Sequence, residues 1–152
     1  MKVDRVNKKS PGDILEGVHQ VMHLFRAEQY RVAREAGHDI AHMEGKLLHY
    51  IGDHPGTTLR ELVRHFERDK GQLARLVKTL REQNLLSGEG DAQDRRSVRL
   101  RLTDEGTALR ESVRRQVERI SKQAVAGFTE EERRQLATLL DRVRGNLGEM
   151  GK

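Results

Sequence analysis

"TTLRELVRHFERDKGQLARLVKTLREQNLLSGEGDAQDRRSVRLRLTDEG", residues 57–106, changes its hydrophobic period midway, and that change decides the fold. Thr58-Leu59-Arg60-Glu61 is a capping box, in which a threonine hydroxyl and a glutamate three residues on satisfy each other's free amides. Leu59, Leu62 and Val63 follow at helical steps, and the pattern breaks near Glu67-Arg68. Asp69, with Gln72 three residues later, is the N-cap of a second helix. That helix turns Leu73, Leu76, Val77 and Leu80 inward and ends near Asn84. Leu85 and Leu86 begin a short strand, and Gly88-Glu89-Gly90 opens a loop reaching about Arg96. A strictly alternating strand then returns from Ser97 to Leu102. The order is helix, tight turn, helix, hairpin: a helix-turn-helix followed by a wing.

The flanks are helical. Ser10-Pro11-Gly12-Asp13 starts a helix carrying Ile14, Leu15, Val18, Val21, Met22 and Phe25 on one face as far as about Glu35. Gly37 interrupts, and a second stretch from about Ile40 to Asp53 presents Met43, Leu47 and Leu48 before stopping at His54-Pro55-Gly56. After the wing, Thr103 caps a long helix with Leu109, Val113, Ile120 and Ala124. Thr129-x-x-Glu132 caps a last one with Leu136, Leu139, Leu140, Val143 and Leu147. The expected class is mainly α, an α+β winged helix. Residues 1–10 form a flexible tail and 11–152 a single domain. Within it, 39–103 is the winged-helix region, and 11–36 and 104–150 are dimerisation helices, because their apolar faces are wider than one small winged domain can cover.

Composition narrows the chemistry. The chain has 152 residues, with 29 Lys+Arg against 24 Asp+Glu, a formal charge of +5, and 3% aromatics. No cysteine occurs, which removes disulfides, thiolate metal sites and cysteine nucleophiles from this chain. The N-terminal MKVDRVNKKSPGD lacks the apolar core of a signal peptide, and no run of about 18 apolar residues is present to span a membrane. A soluble, cytoplasmic protein is expected. No Gly-rich phosphate loop, His-Glu-x-x-His or nucleophile elbow occurs, so no enzyme and no cofactor are expected.

A basic balance alone is weak evidence for nucleic acid; position decides. The outer face of the 69–84 helix carries Lys70, Gln72, Ala74, Arg75, Lys78 and Thr79, with small Gly71 near its start. Arginine pairs two acceptors on guanine, glutamine does so on adenine, and lysine reaches phosphates. At the wing tip, Asp94 is placed to hold an arginine by a charge-assisted bond, while Arg95 or Arg96 enters the minor groove. Val98, Leu100 and Leu102 pin the strand to the core, and Arg99 and Arg101 face solvent or phosphate. Thr57 or Thr58 lies near the DNA backbone.

Residues 59–106 resemble the MarR family of bacterial transcription regulators. Three features carry the resemblance together: Asp69-Lys70-Gly71 with Arg75, Asp94-x-Arg96, and Leu100-x-Leu102-Thr103-x-x-Gly106. This chain has Ser87-Gly88-Glu89 where the family often places a basic residue, and Ala92 at a frequent wing proline. The resemblance implies an obligate homodimer whose N-terminal and last two helices interlock. It implies a wing arginine, matching Arg96, in the minor groove. It also implies a small phenolic or anionic effector between the dimer helices and the winged domain, with His19, His23, Phe25, His38, His42 and Met43 as candidate lining residues.

The expected function is a ligand-responsive repressor that binds double-stranded DNA at a near-palindromic operator. Two alternatives follow from other features. The four-residue spacings of His19/His23 and His38/His42 would suit a zinc-responsive regulator, with Glu44 or a partner histidine completing the site. A non-specific architectural DNA binder would share the basic helix without sequence preference.

Overall fold

The computed structural model describes residues 10–35, 42–94 and 96–151. Its elements in chain order are α1 (Pro11–Glu35), α2 (His42–Asp53), α3 (Leu59–Phe66), α4 (Lys70–Glu82), β1 (Leu86–Gly90), β2 (Val98–Leu102), α5 (Asp104–Ala124) and α6 (Glu130–Glu149). They fall into two compact units that divide after Val117.

The first unit contains the winged helix, and its local signals act as the sequence indicates. Thr58 Oγ1 accepts the Glu61 amide while the Glu61 carboxylate accepts the Thr58 amide, closing the capping box of α3. Glu67 ends that helix in the left-handed conformation, at φ 49°. Asp69 Oδ1 then accepts the Gln72 amide at 3.0 Å and starts α4. Leu47, Leu48, Ile51, Leu62, Leu73, Leu80 and Leu100 are almost wholly buried, so α2, α3, α4 and β2 share one aliphatic core.

The hairpin differs from its sequence reading in two places. Gly88, Glu89 and Gly90 are not loop but strand, paired with Leu100, Arg99 and Val98. The glycines suggest a turn by composition, yet Gly88 is there for space: a Cβ would lie 2.6 Å from Val98 Cγ1. Val98, read as a core anchor, is 38% exposed, so Leu100 and the half-buried Leu102 alone hold β2 down. The turn before α3 joins the sheet as well. The Gly56 amide donates to Leu100 O and the Leu100 amide to Thr57 O, both at 2.8 Å.

The passage from wing to α5 is equally constrained. Thr103 Oγ1 donates to Asn84 O at 2.6 Å and accepts the Gly106 amide at 3.0 Å. The Leu85 carbonyl accepts the Thr103 amide and lies where a Cβ on Gly106 would be, only 2.0 Å away. Among the described side chains of α1 only Val32 is buried, while Ile14, Leu15, Val21, Met22 and Leu24 are exposed.

The second unit comprises the end of α5 and α6. Thr129 and Glu132 form the capping box of α6, as their spacing predicts. No residue of α6 is buried, and Leu136, Leu139, Leu140 and Leu147 lie open.

Gly106→Ala should destabilise the protein by about 2 kcal/mol or more, since the clash is with backbone and cannot be relieved by a side-chain rotation. Thr58→Ala should cost about 1 kcal/mol by removing one cap. Chemical denaturation checks both; a Gly106→Ala midpoint equal to wild type would contradict the packing described.

Candidate nucleic-acid interface

The first turn of α4 contains no acid, and its N-terminal amides add positive potential to its basic side chains. Lys70, Gly71, Gln72, Arg75 and Lys78 are exposed, with Ala74 and Thr79 half-buried on the flanks. Gly71 leaves room for the cap: a Cβ would stand 3.0 Å from Asp69 Oδ1. Thr79 donates its hydroxyl to Arg75 O, and Lys78 lies 3.8 Å from Glu82. Among the described residues Lys70 and Arg75 have no ion-pair partner, so their charges are available to a ligand.

The wing tip is closed by its two aspartates. Asp91 Oδ1 accepts the Gln93 amide and Asp94 Oδ1 the Arg96 amide, each at 3.0 Å. The Asp91 amide donates to Ser97 O, and the Ser97 amide to Asp94 O. Asp94 therefore fixes the backbone of Arg96 rather than its guanidinium, which makes no ion pair among the described residues. The Gln93 amide, followed by the Arg99 cation, holds the Asp91 carboxyl below its usual range. Arg95 lies outside the described residues.

Arg99 is exposed, as its alternation predicts, and its guanidinium also donates to Asp91 Oδ2 at 2.9 Å and to Gly56 O at 3.1 Å. Thr57 is 4% exposed and donates its hydroxyl to Glu61 Oε2 at 2.9 Å, whereas neighbouring Thr58 is half-buried. The amide of Thr58, then the hydroxyl of Thr57, keep the Glu61 carboxyl ionised below its normal pKa.

A cavity of about 1000 Å³ lies within the first unit, walled by α1, α2, α3 and α5. Of the residues expected to line an effector site, His23, Phe25 and His42 do so. His19 does not, Met43 packs against the aliphatic core instead, and His38 lies outside the described residues. Sequence reasoning missed most of the wall. Tyr50 stacks on His54 and His65, each with ring centroids 4.2 Å apart, and meets Phe66 edge-on at 5.6 Å. Arg110 on α5 reaches across to pair with Asp53 on α2. Gly52 admits it, because a Cβ there would lie 2.7 Å from Arg110 Nε. Gln29 Oε1 and Arg110 Nε are buried without a hydrogen-bond partner among the described residues.

Cations dominate this wall: Arg26, Lys46, Arg110 and Arg114 line it against the single acid Asp53. His42 feels them. Desolvation, then Lys46, Arg26 and Arg68, lower its pKa, so the imidazole is neutral at pH 7. Among the described residues no three His, Cys, Asp or Glu side chains are grouped to hold a metal ion, and no helix is long and apolar enough to cross a membrane.

A family model described as a winged helix DNA-binding domain matches residues 42–106. The HTH-type transcriptional regulator YybA of Bacillus subtilis (strain 168) is 31% identical over 97 residues, covering 64% of this chain and 65% of that protein. The chain thus spans just under two thirds of that relative's length. Two solved structures share the fold along nearly the whole chain. FabT of Streptococcus pneumoniae, crystallised in complex with DNA, is 20% identical with a TM-score of 0.81, covering 93% of this chain and 99% of that one. MarR is 25% identical with a TM-score of 0.70, covering 99% and 97%. Residues 42–106 accordingly match a winged helix DNA-binding domain, and the chain shares its fold with MarR.

Proposed function

We propose that the protein is a sequence-specific repressor that binds a near-palindromic operator as a homodimer and responds to a small anionic or phenolic effector. The observation that carries the DNA reading is the free, basic first half of α4 beside a wing whose Arg96 amide is fixed by Asp94. In this reading Lys70, Gln72 and Arg75 meet base edges in the major groove, with Gly71 and Ala74 allowing close approach. Lys78 and the Thr58 end of α3 lie at phosphates, and Arg96, with Arg95 beside it, enters the minor groove. Buried Thr57 acts through Glu61 rather than at the DNA backbone. FabT crystallised with DNA supports the choice of ligand.

Exposed leucines on α6, and exposed Ile14, Leu15, Val21 and Leu24 on α1, support a second copy as the partner of these helices. A two-fold dimer would set its recognition helices about 34 Å apart, one turn of duplex. The cation-lined cavity, with buried Gln29 Oε1 and Arg110 Nε lacking partners, supports an effector with an anionic or hydrogen-bonding group on an apolar body. The zinc alternative loses ground, since exposed His19 and His23 gather no third ligand among the described residues.

A duplex enriched by the wild-type protein from a random-sequence pool provides the probe. Arg75→Ala should remove about 1–3 kcal/mol of discrimination at one base pair and relax the sequence preference there. Lys78→Ala should weaken binding to all sequences and reduce the salt slope by about 0.9. Arg96→Ala should weaken binding without altering the preference read by α4. Mobility-shift titrations at several salt concentrations check all three; retention of wild-type binding by both Arg75→Ala and Arg96→Ala would refute the assignment. Failure to enrich any sequence would favour the architectural reading. For the effector, benzoate should bind by calorimetry and lower the affinity for the selected duplex, and Lys46→Ala should weaken benzoate binding.

A further inference from the structure

Arg99 is used at both ends of its guanidinium fork. Nη2 donates to Asp91, the residue that follows β1 at the base of the wing tip. Nη1 donates to the carbonyl of Gly56, in the turn between α2 and α3. A lysine would lose the planar fork, because its three donors radiate from one atom and are not pre-set toward two separate acceptors.

Each end of the contact is anchored separately. On the wing side, Asp91 also accepts the Gln93 amide and donates its own amide to Ser97 O, so its position sets that of the tip. On the other side, the Gly56 amide is bonded to Leu100 O, and the next residue, Thr57, is bridged to Leu100. Thr57 is in turn held by Glu61 in the first turn of α3, which also feels the Arg99 cation. One guanidinium therefore connects the wing tip to the start of the helix-turn-helix.

We propose that Arg99 is a positioning residue for DNA binding: by bridging Asp91 and the Gly56 carbonyl it fixes the wing tip relative to the helix-turn-helix, so that Arg96 and α4 meet the duplex as one body. The role rests on the DNA-binding reading given above. Arg99 remains half exposed, so the bridge adds little to global stability. Its effect falls on binding, where a wing already ordered in the free protein loses less entropy on docking.

Asp91 separates this role from a direct phosphate contact. Removing an acid beside a polyanion should leave affinity unchanged or raise it, unless the acid holds something in place. The experiment titrates Asp91→Asn, Arg99→Lys and the double variant against the pool-selected duplex, and follows amide hydrogen exchange of the free proteins. Positioning predicts binding about five- to tenfold weaker for each single variant and a double variant no worse than either, the signature of one shared interaction. It also predicts an unchanged salt slope, and faster exchange at Gln93 and Ser97 with a melting temperature close to wild type.

Asp91→Asn binding as tightly as wild type overturns the proposal. Retention of affinity by Arg99→Lys, which keeps the charge and loses the fork, does so too, as does unaltered exchange at the tip. A wild-type protein that binds no duplex of any sequence sinks the DNA reading and this role with it, while faster exchange in the variants would still report the bridge itself.

Discussion

Leu100 is where the winged helix is tied together. Its side chain, 2% exposed, belongs to the aliphatic core with Leu62, Leu73 and Leu80. Its backbone pairs with Gly88 on one side and bonds to Gly56 and Thr57 on the other. The central position gives β2 a neighbour on each edge, so the hairpin cannot swing without breaking either the sheet or the core. Everything offered to DNA is placed relative to that strand: the wing tip by its register, α3 by the Thr57 bridge, and α4 by the leucines packed in the same core. A solvent-facing arginine surface of this kind needs such a rigid support, because long cationic side chains lose rotamer entropy when they dock.

Where a feature was set by neighbours in the chain, it was legible beforehand. The caps at Thr58, Asp69 and Thr129 each need only a side chain and an amide three residues away, and all three form. The helix-turn-helix followed from those caps and from leucine spacing. Misreadings arose where distant residues decide. Gly88 and Gly90 have the composition of a loop, yet both pair with β2, and crowding by Val98 leaves no room for a side chain at the first. Alternation places Arg99 on the exposed face correctly but says nothing of the length that lets it reach Asp91 and Gly56. The cavity was visible only in part, since Tyr50, His65 and Arg110 come from three helices whose approach no local spacing encodes.

The same long-range contacts join the wall of the cavity to the helix-turn-helix. Tyr50 sits on α2 against His65 and Phe66 of α3, so one wall of the cavity belongs to the first helix of the helix-turn-helix. Asp53, at the end of α2, is shared between His49 and Arg110 of α5. An anionic occupant would compete with Asp53 for Arg110, and any consequent movement of α2 would be felt at the His54–Thr57 turn that Leu100 and Arg99 hold. Differential affinity for two arrangements of these helices is what such an effector would require.

The central claim is that α4 and the wing engage one duplex together and with sequence preference. Hydroxyl-radical footprinting on a duplex selected by the wild-type protein tests it most directly, because the radical abstracts deoxyribose hydrogens and so reports backbone protection nucleotide by nucleotide. The account predicts protection over two major-groove segments about one helical turn apart, flanked by minor-groove protection that disappears in Arg96→Ala while the central pattern persists. Protection spread evenly along the duplex, unchanged by scrambling its sequence or by Arg96→Ala, would contradict it.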